Sequence, residues 1–291
     1  MEIFELKYFL AVAQLENVNR AAEQIHVSSG SLSKAISRLE EELQTPLFYK
    51  SGRGIRLTPE GLFLKKKAAQ ILQLEADVRL ELTGKETGSL NVSISSEEIL
   101  QTAYGIELLH TIGRYYPQAR VQFLIRTEQK AIEQIMDGEV HLALITLEPP
   151  AGVAAKVLAK VEFNTCASKE HSLLKKYGPK QTIPIEEILE YPFVSPDSAI
   201  LGRIAKSASI DGWRDDKFPR QIKYKVYGLK LMETLVRNGM ALGYLPDYFI
   251  ESAGLVPLKI SGCPYSCHQT IRLITKDPTA LGWLNKLWDE F

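Results

Sequence analysis

The spacing of apolar residues changes its rhythm along this chain, and each change marks a new element. Phe4, Leu6, Tyr8, Phe9, Val12 and Leu15 recur at helical spacing. Ala21, Ala22 and Ile25 fall on a second, shorter helix, and Val27 closes a tight turn. Leu32, Ala35, Ile36 and Leu39 then repeat on a third helix. The small Ala22 permits close crossing, so residues 18–39 predict a helix-turn-helix. Pro46 is expected to end the third helix, and Leu47-Phe48 starts a short apolar run. Ser51-Gly52-Arg53-Gly54 reads as a turn, and Ile55 to Leu57 returns as the second strand of a small hairpin. Thr58 caps a new helix with Pro59 at its first position. That helix is expected over residues 58–84, with Leu64, Ala68, Ile71, Val78 and Leu82 on one stripe and Glu75 as its polar interruption. Gly84 to Gly88 forms a linker.

Beyond residue 88 the rhythm becomes an alternation of strands and helices. Strands are expected over 90–94, 120–125 and 141–145, with helices over 99–115 and 129–136. Residues 156–168 are strand-rich and cross to a second subdomain, whose strands are 193–195, 222–226 and 241–245. The chain returns through a strand over 271–275 and ends in a helix over 281–291. This pattern predicts mainly parallel sheets flanked by helices, built as two sheets joined by two crossings.

The polar residues between the apolar stripes carry the chemistry. Opposite the stripe of the third helix stand Ser28, Ser29, Ser33, Lys34, Ser37 and Arg38. Short hydroxyls and cations suit phosphates and base edges in a major groove. Lys50, Arg53 and Arg56 sit on the small hairpin, which reads as a wing. An ordinary helical hairpin with a solvated face has the same local pattern.

The order of residues over the first 65 positions resembles the LysR-type transcriptional regulators. It supplies Ala21-Ala22, Val27-Ser28, Leu32-Ser33, Ile36, Leu39-Glu40, Pro46-Leu47-Phe48, Gly52-Arg53-Gly54, Leu57-Thr58 and Gly61 in sequence. It departs from the family at Ser29 and Gly30, where Gln and then Pro or Ser are usual, at Gln44 for Gly, and at Lys50 for Arg. Ser29 lacks the long amide that reads adenine bidentately, so a relative's DNA site does not transfer. The fold that the resemblance implies is α/β. A winged helix-turn-helix occupies residues 1–57, and a linker and dimerisation helix with its hinge occupies 58–88. A two-subdomain effector-binding domain, similar to periplasmic binding proteins, occupies 89–291. Its first subdomain spans about 89–161 and 266–291, and its second about 162–265.

The partners implied are double-stranded promoter DNA at a pseudo-palindromic site, a small-molecule effector, and other copies of the chain. Copies would form a dimer through the linker helix and then a tetramer; RNA polymerase is a further partner that such regulators allow. Ligands of open α/β sheets sit beyond the carboxyl ends of the strands. Those ends hold Ser95, Ser96, Arg126, Thr127, Thr146, Ser195, Asp197, Ser198, Tyr227 and Tyr244. In the family, hydroxyls at such places commonly bind an organic anion, and Ser96, Thr127, Ser195 and Ser198 match by type. Glu97, Glu98, Glu128 and Asp197 flank them, and these carboxylates repel an incoming anion. An amine-bearing or neutral polar effector is therefore expected, not a simple dicarboxylate.

Composition narrows the alternatives. The chain has 291 residues and formal net charge zero, with 45% hydrophobic and 24% charged residues, as in an ordinary globular protein. Residues 28–67 carry eight cations (Lys34, Arg38, Lys50, Arg53, Arg56 and Lys65 to Lys67) against four anions, so a basic surplus is concentrated there. No apolar run approaches a membrane span and no signal peptide precedes the first helix, so a cytoplasmic location is expected. The three cysteines, Cys166, Cys263 and Cys267, do not imply a disulfide framework. Cys263 and Cys267 followed by His268 leave a redox-responsive regulator open as an alternative, beside a plain small-molecule binding protein. No catalytic constellation, metal-binding helix pattern or phosphate loop is legible, so no enzyme, metal or cofactor is expected.

Overall fold

The computed structural model describes residues 1–52, 54–83, 90–197 and 209–291. Arg53, Ser198 and the 84–88 linker named above lie outside them. The chain divides into two compact units. One comprises Met1–Leu90 with Met136–Glu139 and Pro278–Asp289; the other comprises Asn91–Ile135, Val140–Asp277 and Glu290–Phe291. Residues 278–289 thus group with the first unit, whereas the sequence reading assigned all of 266–291 to the effector domain.

The first unit begins with α1 (Ile3–Leu15), α2 (Val18–Gln24) and α3 (Ser29–Leu43). Then come β1 (Phe48–Ser51), β2 (Gly54–Leu57) and α4 (Pro59–Thr83). Leu6, Phe9, Val12, Ala21, Ala22, Leu32, Ile36, Leu39, Leu47, Leu64 and Ala68 form one buried core. The stripes of four helices and the start of the wing therefore meet. α3 ends at Leu43, before Pro46, because Gln44 turns left-handed at φ 54°. This is the position where the family resemblance calls for Gly, and the physical reason is that positive φ. Gln44 Nε2 donates to Glu41 O at 2.6 Å, which compensates part of the strain.

The wing is fixed to α3 and α4 by buried and half-buried polar bonds. Glu40 accepts the Leu47 and Phe48 N–H groups at 2.7 and 3.2 Å. Thr58 Oγ1 donates to Pro46 O at 2.8 Å and accepts the Gly61 N–H at 2.9 Å, capping α4. A Cβ at Gly61 would stand 2.1 Å from Leu47 O, so only glycine fits. β1 and β2 pair antiparallel with Ser51 opposite Gly54, and Gly52 takes the left-handed turn.

The second unit follows the order β3 (Asn91–Ser96), α5 (Glu98–Tyr115), β4 (Arg120–Ile125), α6 (Glu128–Asp137), β5 (Leu142–Ile145) and β6 (Ala154–Ala167). α7 (Ser172–Tyr177), β7 (Thr182–Pro184), α8 (Ile185–Leu189), β8 (Pro192–Pro196), β9 (Gln221–Val226) and α9 (Leu229–Arg237) come next. The chain continues with β10 (Gly243–Pro246), α10 (Asp247–Ser252), β11 (Val256–Pro257), β12 (Lys259–Ser261) and β13 (Cys267–Thr275). α11 (Gly282–Trp288) is the last helix and groups with the first unit.

The strands expected in two separate sheets are partly joined: β10 belongs to the large sheet, while β8 and β9 form a pair of their own. Among the described residues, a seven-stranded sheet runs β10-β6-β13-β5-β3-β4, with β11 also on β6. β3 pairs parallel with β4 and β5, whereas β13, β6 and β10 pair antiparallel. The reason is the length of β6: 14 residues, enough to pair with β13 at one end and with β10 and β11 at the other. The parallel pairs β8-β9 and β7-β12 stand apart from this sheet.

Candidate functional site

The outer face of α3 presents the predicted polar residues together. Ser29, Ser33, Lys34, Ser37 and Arg38 are exposed, while Leu32, Ala35, Ile36 and Leu39 are buried. Ser28 is the N-cap; its Oγ accepts the Ser31 N–H at 3.0 Å and lies 2.8 Å from Ser31 Oγ. That hydroxyl is therefore engaged in capping as well as being exposed. On the wing, Lys50 and Arg56 are exposed, with Arg56 3.8 Å from Glu16. Sequence reasoning missed Glu5, whose buried carboxylate lies 3.4 Å from Arg38 Nη2. No local pattern could have shown that pair, because 32 intervening residues separate its members.

α4 divides into two halves by burial. Leu64 and Ala68 lie in the core, whereas Leu74, Val78 and Leu82 are exposed. Ile71, Leu74, Glu75, Val78 and Arg79 line a shallow groove of about 470 Å³. The acid that interrupts the stripe, Glu75, is paired with Arg79 and lies 3.7 Å from Lys7.

In the second unit, the ends of β3, β4 and β5 gather five of the expected ligand residues. Ser95 is fully buried and its hydroxyl donates to Gln134 Oε1 at 2.8 Å. Ser96, also buried, donates to Glu97 O at 3.2 Å. Arg126 is exposed, and its Nη1 donates to Ile125 O at 2.7 Å. Thr127 is exposed at the start of α6, where its Oγ1 accepts the Lys130 N–H at 3.4 Å. Thr146 gives both its N–H and its hydroxyl to Glu128 Oε1, at 2.8 and 2.7 Å.

The acids there divide. Glu98 and Asp197 are exposed, but Glu97 and Glu128 are buried. Burial and the neighbouring Glu128 charge push the Glu97 carboxyl up to about 7, although it accepts the Glu128 N–H. Burial also raises Glu128, against the hydrogen bonds from Thr146 and Leu147.

Near the ends of β8, β9 and β10 stand Ser195, Asp197, Tyr227 and Tyr244; Ser198 lies outside the described residues. Ser195 is buried and its hydroxyl donates to Pro196 O at 3.3 Å. Tyr227 is exposed and its hydroxyl donates to Asp197, which raises its pKa. Tyr244 is buried, edge-on to Trp213 at 5.1 Å and 5.8 Å from Phe163. Close by in sequence lies a network that the pattern did not reveal. Arg220 is fully buried and donates to Asp211 at 2.8 and 3.0 Å and to Asp215 at 2.8 and 2.9 Å. Its guanidinium lies 5.4 Å from the Phe193 ring and 5.2 Å from the Trp213 ring.

The cysteines are free. Burial pushes Cys166 up to about 12 and Cys267 up to about 11, so neither is a ready thiolate at neutral pH. Among the described residues, no cluster of three His, Cys, Asp or Glu side chains is placed to hold a metal, and no helix is long and apolar enough to cross a membrane.

Comparison with known proteins finds two family models, matched in order along the chain. Residues 3–62 match the model of the bacterial regulatory helix-turn-helix protein, lysR family. Residues 84–281 match the LysR substrate binding domain. Among curated proteins, the chain is similar to the HTH-type transcriptional regulator TfdS of Cupriavidus pinatubonensis, with 31% identity over 147 residues. That alignment covers 50% of this chain and 49% of TfdS, so the chain spans about half the length of such relatives. Two solved structures share the fold. A full-length OxyR variant from Pseudomonas aeruginosa has TM-score 0.67 at 21% identity, covering 99% of this chain and 94% of that one. Full-length CbnR complexed with its target DNA has TM-score 0.63 at 20% identity, covering 99% and 98%. With both family models matched in order, and the second alone spanning more than half of its length, the chain belongs to the LysR family.

Proposed function

We propose that this protein is a sequence-specific DNA-binding transcriptional regulator whose second unit takes a small-molecule effector. The observation that carries the reading is the face of α3. Ser29, Ser33, Lys34, Ser37 and Arg38 are all exposed on a helix whose opposite side is locked into the core. The wing adds Lys50 and Arg56. A similar structure supports it, since CbnR was solved on its target DNA. The exposed apolar half of α4 supports self-association, the simplest partner being the same helix of another copy. Two recognition helices then reach successive major-groove faces of a pseudo-palindrome in the cytoplasm, where the chromosome is.

For the effector, the buried Glu97–Glu128 pair favours an amine-bearing or neutral polar molecule over a dicarboxylate, with Ser96, Thr127 and Ser195 as hydroxyl contacts. Tight calorimetric binding of a dianionic carboxylate, abolished by Thr127→Val, overturns the charge argument.

The DNA reading is tested by selecting duplexes from a random-sequence pool and measuring affinity over a salt series. Lys34→Ala is expected to weaken binding and to lower the salt slope by about one unit, as loss of one phosphate contact does. A parent protein that enriches no sequence refutes the reading.

A further inference from the structure

Arg38 differs from Lys34, the other exposed cation of α3, in having a buried anion beneath it. Glu5 stands in the first turn of α1 and is 1% exposed, while the Arg38 side chain is 59% exposed. Glu5 Oε2 accepts the Glu2 N–H at 2.9 Å. Its Oε1 has no hydrogen bond among the described residues, and Arg38 Nη2 stands 3.4 Å from it. A pair between two solvated side chains is loose and weak. Here one end is rigid: Glu5 is held by Glu2 and by its neighbour Leu6, which lies in the core, and a negative charge is favoured at the first turn of a helix.

We propose that Glu5 is a positioning residue for Arg38, and that this pair sets how well the protein separates its operator from other DNA. The inference rests on α3 being the DNA-reading helix. An untethered arginine swings among rotamers and satisfies any nearby phosphate, which adds affinity without sequence information. With a fixed carboxylate 3.4 Å from one nitrogen, the planar guanidinium is biased toward presenting its remaining donors in one orientation, as bidentate recognition requires. The carboxylate also cancels part of the Arg38 charge, so non-specific attraction falls while the oriented contact remains.

The full-length protein, Glu5→Gln, Arg38→Ala and the double variant are measured on two duplexes of equal length. One is enriched by the parent from a random-sequence pool and the other is its scrambled counterpart. Glu5→Gln keeps an acceptor for the Glu2 N–H and removes the charge. It is expected to bind the scrambled duplex more tightly, with a salt slope steeper by up to about one unit. The operator-to-scrambled ratio is expected to drop roughly tenfold, the scale of one well-placed base contact. In the Arg38→Ala background the same change is expected to leave the ratio alone. Glu5→Asp, which withdraws the charge by one methylene, is expected to lower the ratio as well. The Arg38 Nε–H signal in NMR, read without DNA, is expected to lose its distinct shift in Glu5→Gln. A ratio that is unchanged in Glu5→Gln, or changes equally without Arg38, overturns the positioning role while the DNA reading stands. Failure of the parent to enrich any duplex overturns both.

Discussion

The two units differ in where they place cations and backbone strain. In the first unit the cations that matter lie outside: Lys34, Arg38, Lys50 and Arg56 are all exposed, over a core without a buried cation among the described residues. The second unit takes ionisable groups inside: Arg220 with Asp211, Glu97 with Glu128, and the half-buried His141. Backbone strain runs the other way. The described non-glycine residues at positive φ, Glu16, His26 and Gln44, all belong to the first unit. In the second unit the described left-handed residues are glycines, such as Gly152, Gly178 and Gly239. Surface charge in the first unit is thus expected to change binding without changing stability, and charge in the second to do the reverse.

The sharpest way to break that comparison is Arg220→Ala. It leaves Asp211 buried without its partner, and is expected to cost the second unit about 3–5 kcal/mol in urea unfolding. A loss below about 1 kcal/mol shows that the network is peripheral to stability.

Val78→Asp probes the first unit at a site that is already exposed, so the fold has little to lose. A charge placed in a helix pair is expected to weaken self-association by about 100-fold, consistent with the cost of burying an unpaired charge. Unchanged sedimentation over a wide concentration range removes this half of α4 from the interface.

Glu97 sharpens the comparison through pH. Its folded value of about 7 lies above the ordinary 4.5, so the folded state holds more protons between those limits. Its contribution is full below pH 4.5 and is lost as pH rises through 7. His141, lowered by burial from 6.5 to about 4, has the opposite sign: stability grows as pH rises from 4 to 6.5. The two offset each other over much of that range. Glu97→Gln is expected to remove that share of the fall, leaving the His141 rise against the remaining fall from the raised Glu128 carboxyl. At pH 8 the variant gains about 2 kcal/mol over the parent. Parallel stability curves for the two proteins refute the assignment of the Glu97 proton.

The smallest effect belongs to backbone strain. Gln44→Gly is expected to stabilise the first unit by about 0.5–1 kcal/mol, because glycine takes φ 54° without a Cβ clash. The lost Gln44 Nε2 bond to Glu41 O subtracts from that gain. A melting temperature that falls places the side-chain bond above the strain.

The helix-turn-helix was legible because its signals are local. Ala21, Ala22, Leu32, Ile36 and Leu39 repeat at the helical period, and Gly61 marks a place where a Cβ meets Leu47 O. The strand and helix alternation from Asn91 to Ile145 was legible for the same reason, to within a few residues at element ends. The joining of β6 to β13 and β10 was not, since strand order depends on partners about 100 residues away.

The sequence by itself therefore determined the elements, the family and the face of α3 turned outward. Hydrophobic period and turn chemistry act over a few residues, and a single chain carries both in plain order. Only the tertiary structure decided which charges are buried and with whom. Glu97 and Glu98 are neighbours in sequence, yet one is buried against Glu128 and the other exposed. Glu5 and Arg38 meet because α1 and α3 share a core. Desolvation and Coulomb energy depend on distance in space, and that distance is set by packing alone.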